Sequence, residues 1–236
     1  ENAATTLAEI KSAELGPLLL AALSHDDAFS KAALFRSLRE LRLGESFAPA
    51  LAALNHDDAR VRREAVGVLG YLKNAAAVEA IANLVAHDPD PMVRRAACGA
   101  LGFASAPQAG MALVRALSDA NWQVREEAAA TLGKLGTQAA VPQLINALGD
   151  GYWQVGLKAT RSLGRLRAVD AVTAICALLR HDISNVRKEA AIALGDIGDH
   201  RAIPDLEAAL QDPDPDVRKL TRLALTRIVQ TNRSNP

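Results

Sequence analysis

The fold is decided by a stretch that reads Asn121-Trp-Gln-Val124-Arg125-Glu-Glu-Ala128-Ala-Ala-Thr-Leu132-Gly133. Its apolar residues recur at the spacing of one helical face, which predicts an amphipathic helix, and the glycine is well placed at the C-terminus of that helix. One helical unit is copied along the chain. The same pattern recurs from Val61, Val93 and Val186, and in looser form from Val155 and Val217.

The copies follow one another at a nearly constant interval. Val61 and Val93 are 32 residues apart, and every later step between equivalent valines, up to Val217, is 31 residues. A degraded copy stands one step earlier, at residues 30–38. Repetition at a fixed period of this length is the sequence signature of a solenoid.

Each unit contains another helical pattern ahead of this one. It reads Val141-Pro-Gln-Leu-Ile-Asn-Ala-Leu148, with proline in the first turn, where the missing N–H has no partner in any case. An Asp-rich turn follows, such as His-Asp-Pro-Asp at 87–90, and its aspartates can cap the next helix. Because one hairpin cannot bury its apolar stripe alone, neighbouring hairpins are expected to stack.

The sequence therefore predicts an all-α fold: an α-solenoid, or superhelix, of about seven stacked hairpins with a 31-residue period. No linker or shift in composition divides the chain, so a single domain is expected over residues 1–236. Residues 1–12 match part of a preceding unit and are expected to form a partial or capping helix. The polar residues 231–236 are expected to form a frayed tail.

The repeat unit resembles a known family. The Asp-rich turn, the Val-Arg-x-x-Ala-x-x-Ala-Leu-Gly helix and the following Ala-Val-Pro are similar to the HEAT-like repeat named after phycobilisome lyases. The resemblance covers nearly the whole chain and implies a HEAT-like solenoid. For function it implies several classes, since such repeats occur in bilin lyase subunits, in a di-iron hydroxylase of deoxyhypusine, in DNA-repair relatives and in scaffolds without chemistry.

Composition argues against several classes of protein. The chain has 236 residues, 50% of them hydrophobic, and its 27 basic and 27 acidic side chains give no net charge. This excludes a disordered chain and argues against a strongly basic nucleic-acid binder. No apolar run approaches the ~20 residues of a membrane span. Cys98 and Cys176 lie in different repeats, which predicts reduced thiols in a cytoplasmic protein. The resemblance to the HEAT-like repeat implies a protein of bacterial type.

No residue pattern indicates a catalytic or metal site, and no cofactor is predicted. The hydroxylase family places a His-Glu pair after Val-Arg, but the pairs at that position here, such as Glu126-Glu127, contain no histidine. Four histidines share one repeat position, yet helices stack ~8–10 Å apart, too far for ligands that must each lie ~2 Å from one zinc. We interpret them as donors or cations at helix C-termini. These residues are His25, His56, His87 and His181.

An arginine follows the valine in five copies, just after the Asp-rich turn. One interpretation is a ladder of Arg–Asp contacts between successive repeats. The alternative is a basic strip that binds phosphates or an acidic peptide, although the aspartates follow the same period and neutralise such a strip. These residues are Arg62, Arg94, Arg125, Arg187 and Arg218.

A binding surface is expected along the second helices, which line the concave face of a HEAT-like stack. With each valine facing the core, the residues two and six positions later face the open side. These rows are basic and small near the N-terminus and more apolar towards the C-terminus, which suits an extended peptide or a partner helix. Drift under weak constraint explains the rows equally well. The candidate binding residues in these rows are Arg63, Arg95, Leu157, Arg161 and Lys188.

The few aromatic residues indicate a second part of that surface. Trp122 and Trp153 occupy the same slot of adjacent repeats, with Tyr152 beside the second. Their rings are expected to pack together or to flank a ligand, or alternatively to cover the seam between repeats. Gly156 replaces the ladder arginine and is unfavourable inside a helix, which we interpret as the mark of a functional surface. The predicted patch comprises Trp122, Tyr152, Trp153, Gly156, Leu157 and Arg161.

The leading hypothesis is a non-catalytic, cytoplasmic scaffold that binds a protein or peptide through the concave face and the Trp edge. The alternative implied by the resemblance is a bilin lyase or chromophore chaperone, which would bind a tetrapyrrole and is the main exception to a non-enzymatic role. A DNA-binding module of the repair type comes third, because phosphate binding requires a positive surface and the chain has no net charge. No membrane partner is expected.

Overall fold

The structure is a computed structural model that describes residues 13–25, 27–104 and 107–234. Within these ranges the chain forms helices and connecting turns without any strand, so the predicted all-α fold is confirmed. The helix expected over residues 1–12 lies outside the described residues. The last helix takes in residues 231–234 of the expected tail, while residues 235–236 also lie outside.

The helices alternate between two classes, first and second helices of a hairpin. A short 3-10 turn leads into each first helix, as Gln138–Ala140 does before Val141–Ala147. In chain order the helices are α1 Gly16–Ala22, α2 Ala28–Leu41, α3 Phe47–Ala53, α4 Ala59–Leu72, α5 Val78–His87, α6 Pro91–Ala100, α7 Pro107–Ala116, α8 Trp122–Leu135, α9 Val141–Ala147, α10 Trp153–Arg165, α11 Val172–Leu178, α12 Ser184–Ile197, α13 Ile203–Ala209 and α14 Pro215–Ser234.

The helices group into two compact units, Glu1–Ala116 and Leu117–Pro236. In the first unit the hairpins α1–α2, α3–α4 and α5–α6 stack, with α2 against α4, α4 against α6, and α5 against α7. In the second unit the hairpins α9–α10, α11–α12 and α13–α14 stack, and α8, α10, α12 and α14 form one layer of side-by-side helices. Each unit is thus a stack of helical hairpins, while the single domain expected over the whole chain stays a prediction.

The helix starts follow the sequence closely. The predicted Asp caps are confirmed for α4 and α6: the Asp58 carboxylate accepts a hydrogen bond from the Arg60 amide, and the Asp90 carboxylate accepts from the Met92 and Val93 amides. The prediction is wrong for α8, which asparagine caps, and for α10 and α12, whose N-cap residues make no side-chain hydrogen bond. Each second helix begins two residues ahead of its Val-Arg pair, as α8 does at Trp122. Proline stands in the first turn of the first helices, as Pro142 does in α9.

The Leu-Gly glycines have a different role from the predicted one. Only α6 stops before its Leu-Gly pair; α4, α8 and α12 continue past theirs and end at Leu72, Leu135 and Ile197. A Cβ at Gly164 would lie 2.9 Å from Ala193 Cα, and one at Gly195 would lie 2.9 Å from Ala224 Cα. The prediction that these glycines terminate helices is therefore wrong. They allow neighbouring second helices to approach closely.

The core repeats with the same period. In α8 the side chains of Val124, Ala128 and Leu132 are fully buried, and the equivalent residues of the other second helices are buried in the same way. Most core residues are alanine, valine and leucine, so each hairpin buries a thin apolar layer that is completed only by its neighbours. The Asp-rich turns lie at the N-terminal ends of the second helices, with Asp57 and Asp182 exposed and Asp88 and Asp212 buried.

Candidate functional site

The arginine that follows the valine does form a ladder. In the first unit, Arg62 of α4 donates from Nε and Nη2 to both carboxylate oxygens of Asp88, at 2.7 and 2.8 Å. In the second unit, Arg125 of α8 reaches Asp150 in the same way at 2.6 and 2.8 Å, and Arg187 of α12 reaches Asp212 at 2.7 and 3.0 Å. These three contacts confirm the predicted Arg–Asp ladder.

Each guanidinium also binds two carbonyl oxygens in the turn that precedes its own helix. The Nη1 atom of Arg125 donates to the carbonyl oxygens of Asp119 and Ala120, at 2.8 and 3.3 Å. Arg62, Arg94, Arg187 and Arg218 make the same pair of contacts with the carbonyls six and five residues earlier. In Arg62, Arg125 and Arg187 the guanidinium therefore joins the turn of its own repeat to the turn of the next.

These contacts favour the charged forms of both partners. The hydrogen bond from Arg125 lowers the pKa of Asp150, and the hydrogen bond from Arg187 lowers the pKa of Asp212. In return the aspartates raise the pKa of both arginines. The ladder arginines are largely buried and fully used by the chain itself, which argues for the structural interpretation of these residues over the basic strip.

Two steps of the ladder are different. Lys31 and Gly156 stand where the other repeats have arginine, and the residue 25 positions later is then His56 or His181 in place of aspartate. The Nδ1 atom of His56 accepts a hydrogen bond from the Asp58 amide at 3.0 Å, and Nδ1 of His181 accepts from the Ile183 amide at 3.0 Å. A ladder aspartate such as Asp150 accepts from the amide two residues later in the same way.

The two histidines thus have a role that the sequence did not predict. They were expected to act as donors or cations at helix ends, and in the structure their Nδ1 atoms accept hydrogen bonds from turn amides. The imidazole provides an acceptor that keeps the turn closed where no guanidinium arrives to balance a carboxylate. Among the residues that the structure describes, no group of three or more His, Cys, Asp or Glu side chains could hold a metal ion.

Gly156 has a packing role that the sequence did not reveal. It is buried in α10, and a Cβ at this position would lie 2.9 Å from the carbonyl oxygen of Leu148 at the end of α9. The glycine therefore allows the two helices of one hairpin to approach each other. This packing gives the glycine a structural reason, while the interpretation of Gly156 as the mark of a functional surface stays a prediction.

The charged residues of the predicted inner face are engaged within the chain. Arg161 makes two hydrogen bonds to Glu189 of the next second helix, at 2.8 and 2.5 Å, and is held in its charged form by that carboxylate, which raises its pKa. Lys188 lies 2.9 Å from Asp214. Arg63 lies 3.3 Å from Glu64, and Arg95 also has a partner. These residues are half-buried apart from Arg161, which is exposed.

The aromatic residues form a built cluster, but not with the predicted pairing. Trp122 stacks on Tyr152, not on Trp153, with ring centroids 5.3 Å apart and ring planes 11° from parallel. The guanidinium of Arg125 lies 5.8 Å from the centroid of the Tyr152 ring, and Asp150 holds it there. Tyr152 is 49% exposed and Trp153 is 38% exposed. We call Trp122, Tyr152 and Trp153 the aromatic edge.

The reason for this pairing lies at the start of α10. Tyr152 is the N-cap residue, in an extended conformation, and its amide is bound to Asp150. Trp153 is the first residue of the helix. The capping residue therefore faces the previous repeat, while Trp153 begins a row along α10. Trp153, Leu157, Arg161 and Arg165 follow one another at four-residue intervals and lie along one side of the helix.

A pocket that the sequence did not predict lies at the other end of this row. It has a volume of about 460 Å³ and is polar, with three arginines and one aspartate in its wall. The slot after the second helices does not indicate it, because this slot holds Arg42 and Lys73 as well as Arg167, and glycine at Gly136 and Gly198. The pocket is lined by Gly164, Arg165, Arg167, Gly195, Asp196, Ile197, Arg227 and Gln230.

Both cysteines are buried and neither forms a disulfide, as predicted. Burial raises the pKa of the Cys176 thiol to about 11, and the nearby carboxylate of Asp205 adds to the shift. A thiol with so high a pKa is a poor nucleophile at neutral pH. In the part of the chain that the structure describes, no helix has both the length and the apolar character needed to cross a membrane.

Comparison with known proteins shows the family. The family of HEAT repeats matches residues 47–114, 104–155 and 141–226. No curated protein matches the sequence. Among solved structures, the complex of CpcE and CpcF of phycocyanin lyase from Nostoc sp. is 22% identical, covering 92% of this chain and 94% of that chain with a TM-score of 0.60.

Two further structures have the same fold. The Escherichia coli protein YibA is 17% identical, covering 97% of this chain and 96% of that chain, with a TM-score of 0.64. An engineered protein is 23% identical, covering 96% of this chain and 74% of that chain, with a TM-score of 0.62. The repeat pattern, the stacked hairpins and the family match lead to one conclusion: the chain belongs to the HEAT-repeat family, with the α-solenoid fold that the sequence predicted.

Proposed function

We propose that this chain is a non-catalytic scaffold that binds a protein or peptide partner, and that the aromatic edge of the second unit is its anchor. The observation that carries the proposal is a rigid pair of rings at the surface: Trp122 and Tyr152 stack at 5.3 Å, and Tyr152 keeps 49% of its surface exposed. Only eight residues in this chain are Phe, Trp or Tyr, 3% of the sequence, so three that lie close together form an uncommon concentration.

The physical basis of the proposal is preorganisation. Aromatic side chains supply large contact areas at low cost in side-chain entropy, and tryptophan and tyrosine are enriched among the residues that dominate binding energy. Tyr152 already contacts both Trp122 and the guanidinium of Arg125. The Asp150 carboxylate holds that guanidinium in place by a hydrogen bond. A partner would therefore lose little free energy in ordering this surface.

The row that starts at Trp153 extends the proposed surface along α10. Leu157 is half-exposed and follows Trp153 by one turn, and Arg161 is exposed and follows by another. Because Glu189 already binds Arg161, that guanidinium offers its stem and its remaining surface and not a free charge. Arg63, Arg95 and Lys188 belong to the wider proposed surface along the second helices, where their pairing makes them secondary contacts.

The non-catalytic role and the cytoplasmic location are parts of the same proposal. Support for the first is that the charged side chains along the second helices are paired with each other, and that burial keeps Cys176 unreactive. Support for the second is that both cysteines are buried thiols of the kind that occurs in reducing compartments.

Two alternatives define the other outcomes of the test. The shared fold with the phycocyanin lyase complex keeps tetrapyrrole binding as a candidate ligand chemistry, although the two are only 22% identical. Duplex DNA is disfavoured because the ladder arginines are matched by aspartates and the chain carries no net charge.

The experiment is affinity capture from a lysate of the source organism, followed by a binding titration with the captured protein. Wild type is compared with the double variant Tyr152→Ala, Trp153→Ala. We expect the variant to bind at least about tenfold more weakly, because truncation of anchor residues typically costs ~2 kcal/mol or more.

The matched control is Tyr71→Ala in the first unit, which removes another exposed ring held under two arginines, Arg39 and Arg42. It should bind like wild type. Equal binding by the edge variant would contradict the anchor. A red-shifted absorbance on adding phycocyanobilin, without any captured protein, would contradict the scaffold and favour the chromophore alternative.

A further inference from the structure

The polar pocket of about 460 Å³ at the C-terminal ends of α10 and α12 lies outside the aromatic edge. Its wall contains the guanidinium groups of Arg165, Arg167 and Arg227 and the carboxylate of Asp196, which gives a local excess of positive formal charge in a chain with none overall. The volume falls in the range of pockets that hold small ligands or a few side chains.

The three arginines are not equivalent. Arg227 donates from Nη1 to Asp196 at 2.7 Å, so the pocket already holds one carboxylate on one of its guanidinium groups. Arg165 and Arg167 are exposed, and no described residue binds the guanidinium of either one. Arginine is the side chain that binds carboxylates in a planar, bidentate manner.

The backbone of Arg167 has the conformation that this repeat position also takes elsewhere. Arg167 has a φ of 49°, the equivalent Arg42 and Lys73 have φ of 54° and 53°, and Gly136 and Gly198 have φ of 69° and 80°. Because glycine adopts this left-handed conformation without strain, a change of Arg167 to glycine removes the guanidinium without opposing the backbone conformation.

The net charge of the pocket sets the charge of its ligand. Two of its walls are helix C-termini, those of α10 and α12, and each contributes roughly half a negative charge. The three arginines exceed the single aspartate by two positive charges, and the two helix ends offset about one of them. Roughly one positive charge in the pocket is therefore unbalanced. One carboxylate matches this charge, whereas a doubly charged phosphate group exceeds it.

We propose that the Arg165–Arg167–Arg227 pocket binds a carboxylate of an acidic peptide segment, and that this segment belongs to the same partner that the aromatic edge anchors. The carboxylate site depends on the pocket alone, whereas the assignment of the segment to the same partner rests on the proposed function. The row Trp153, Leu157, Arg161, Arg165 connects the two places along α10. Twelve helical residues span ~18 Å, which an extended peptide covers with five or six residues.

The first test uses fluorescein-labelled hexaglutamate as the probe and the double variant Arg165→Gln, Arg167→Gly. We expect this variant to bind at least tenfold more weakly than wild type. Because glycine is favoured at a left-handed position, the second change should not lower the melting temperature, so that lost binding is not lost folding. The matched control removes two exposed arginines elsewhere, Arg115→Gln and Arg222→Gln, and should bind within twofold of wild type.

Three results would overturn the carboxylate site: no binding of hexaglutamate at millimolar concentration, equal weakening by the control variant, or inorganic phosphate binding at least tenfold more tightly than hexaglutamate. The second test separates this site from the aromatic edge. The Tyr152→Ala, Trp153→Ala variant should bind hexaglutamate like wild type even if the partner-binding proposal fails.

The link between the two sites is tested with peptides that carry a tryptophan and a glutamate separated by one, five or nine serines. We expect the five-serine peptide to bind wild type most tightly, and the arginine variant to lose that preference. Equal affinity at all three spacings would show that one segment does not span both places, and would leave only the carboxylate site.

Discussion

A complete step of the ladder pairs an arginine with an aspartate of the next repeat. The two altered steps differ from it at both residues. Where arginine is present, as in Arg62, Arg125 and Arg187, the next repeat supplies aspartate. Where arginine is replaced, by Lys31 or Gly156, the next repeat supplies histidine. The difference shows that the acceptor for the turn amide is required in every repeat, whereas the charge on that acceptor depends on whether a guanidinium arrives.

The two altered steps also differ from each other. In the first unit, Lys31 and His56 line a pocket of about 350 Å³ together with apolar residues such as Phe35 and Pro49. In the second unit, Gly156 lets the carbonyl oxygen of Leu148 approach to 2.9 Å from the position of a Cβ. Loss of the same arginine is thus accommodated by a cavity in one unit and by closer helix packing in the other.

The largest effect is expected from removing a guanidinium at a complete step. In Arg62→Ala, the Asp88 carboxylate, whose side chain is only 1% exposed, would be left buried without its partner. Removing one partner of a buried ion pair typically costs ~3–5 kcal/mol, so we expect a loss of at least about 3 kcal/mol. The measurement is urea unfolding followed by circular dichroism.

The control for that prediction is Arg180→Ala. Arg180 also binds an aspartate, Asp205, at 2.7 Å, but its side chain is 71% exposed. Exposed pairs contribute ~0–1 kcal/mol, so the unfolding midpoint should change little. Equal losses in the two variants would show that burial does not distinguish the ladder from ordinary surface pairs.

A smaller effect, dependent on pH, is expected at Asp212. Because Arg187 lowers the pKa of this carboxyl below its ordinary value of 3.8, the pair stabilises the fold above that value, and the contribution is lost as pH falls through the lowered pKa. Asp212→Asn keeps an acceptor for the Asp214 amide but removes the charge. We expect it to be about 2 kcal/mol less stable than wild type at pH 6.

The sign of the pH dependence provides the check. Urea midpoints of wild type and Asp212→Asn should differ most above pH 4 and converge as the pH falls towards 2, because the wild-type carboxyl becomes neutral as well. A difference that stays constant over this range would contradict an ionic contribution from Arg187 and leave only packing.

An intermediate loss of stability is expected at Gly156, where the substitution adds an atom to a packed site and does not remove a partner. Glycine in a helix is ordinarily ~1 kcal/mol worse than alanine, so Gly156→Ala would stabilise an open site. Here the new Cβ would meet the Leu148 carbonyl oxygen at 2.9 Å, and we expect a net loss of about 1 kcal/mol. Thermal unfolding of the variant measures it.

The comparison variant is Gly67→Ala in α4. A Cβ there would meet only the Arg39 side chain, at 3.2 Å, and a flexible side chain can move away. This variant should be as stable as wild type or slightly more stable. Stabilisation of the Gly156 variant as well would show that α9 and α10 are not held at their observed separation.

The repeats of the sequence were sufficient to predict the fold because each unit carries the same local signals. The valine period and the proline positions are local signals that the structure follows, and the Asp caps are found at α4 and α6. The Arg–Asp ladder could be predicted as well, since both partners recur with one period. Gly164 and Gly195 were misread because close approach of two helices and the end of a helix both favour glycine.

The candidate site was predicted less completely because it depends on the direction of individual side chains. Sequence spacing aligned Trp122 with Trp153, but Tyr152 caps its helix and is the ring that stacks on Trp122. The pocket around Arg167 involves three second helices, and the slot of Arg167 holds a basic residue in other repeats too, as Arg42 and Lys73 do. The pocket can therefore be recognised only when the packing of these helices is known.

A loss no larger than that at Gly156 is expected at the acceptor of an altered step, and it sharpens the comparison most directly. His181→Ala removes the Nδ1 acceptor of the Ile183 amide and should cost about 1 kcal/mol, the ordinary contribution of one hydrogen bond. His181→Asn restores an acceptor oxygen and should recover most of that loss in thermal unfolding. His181→Asp also restores it, but its carboxylate would face Gly156 and not an arginine, so it should be less stable than the asparagine variant. If the aspartate variant were instead the most stable of the three, the pairing of neutral acceptors with missing arginines would have no energetic basis.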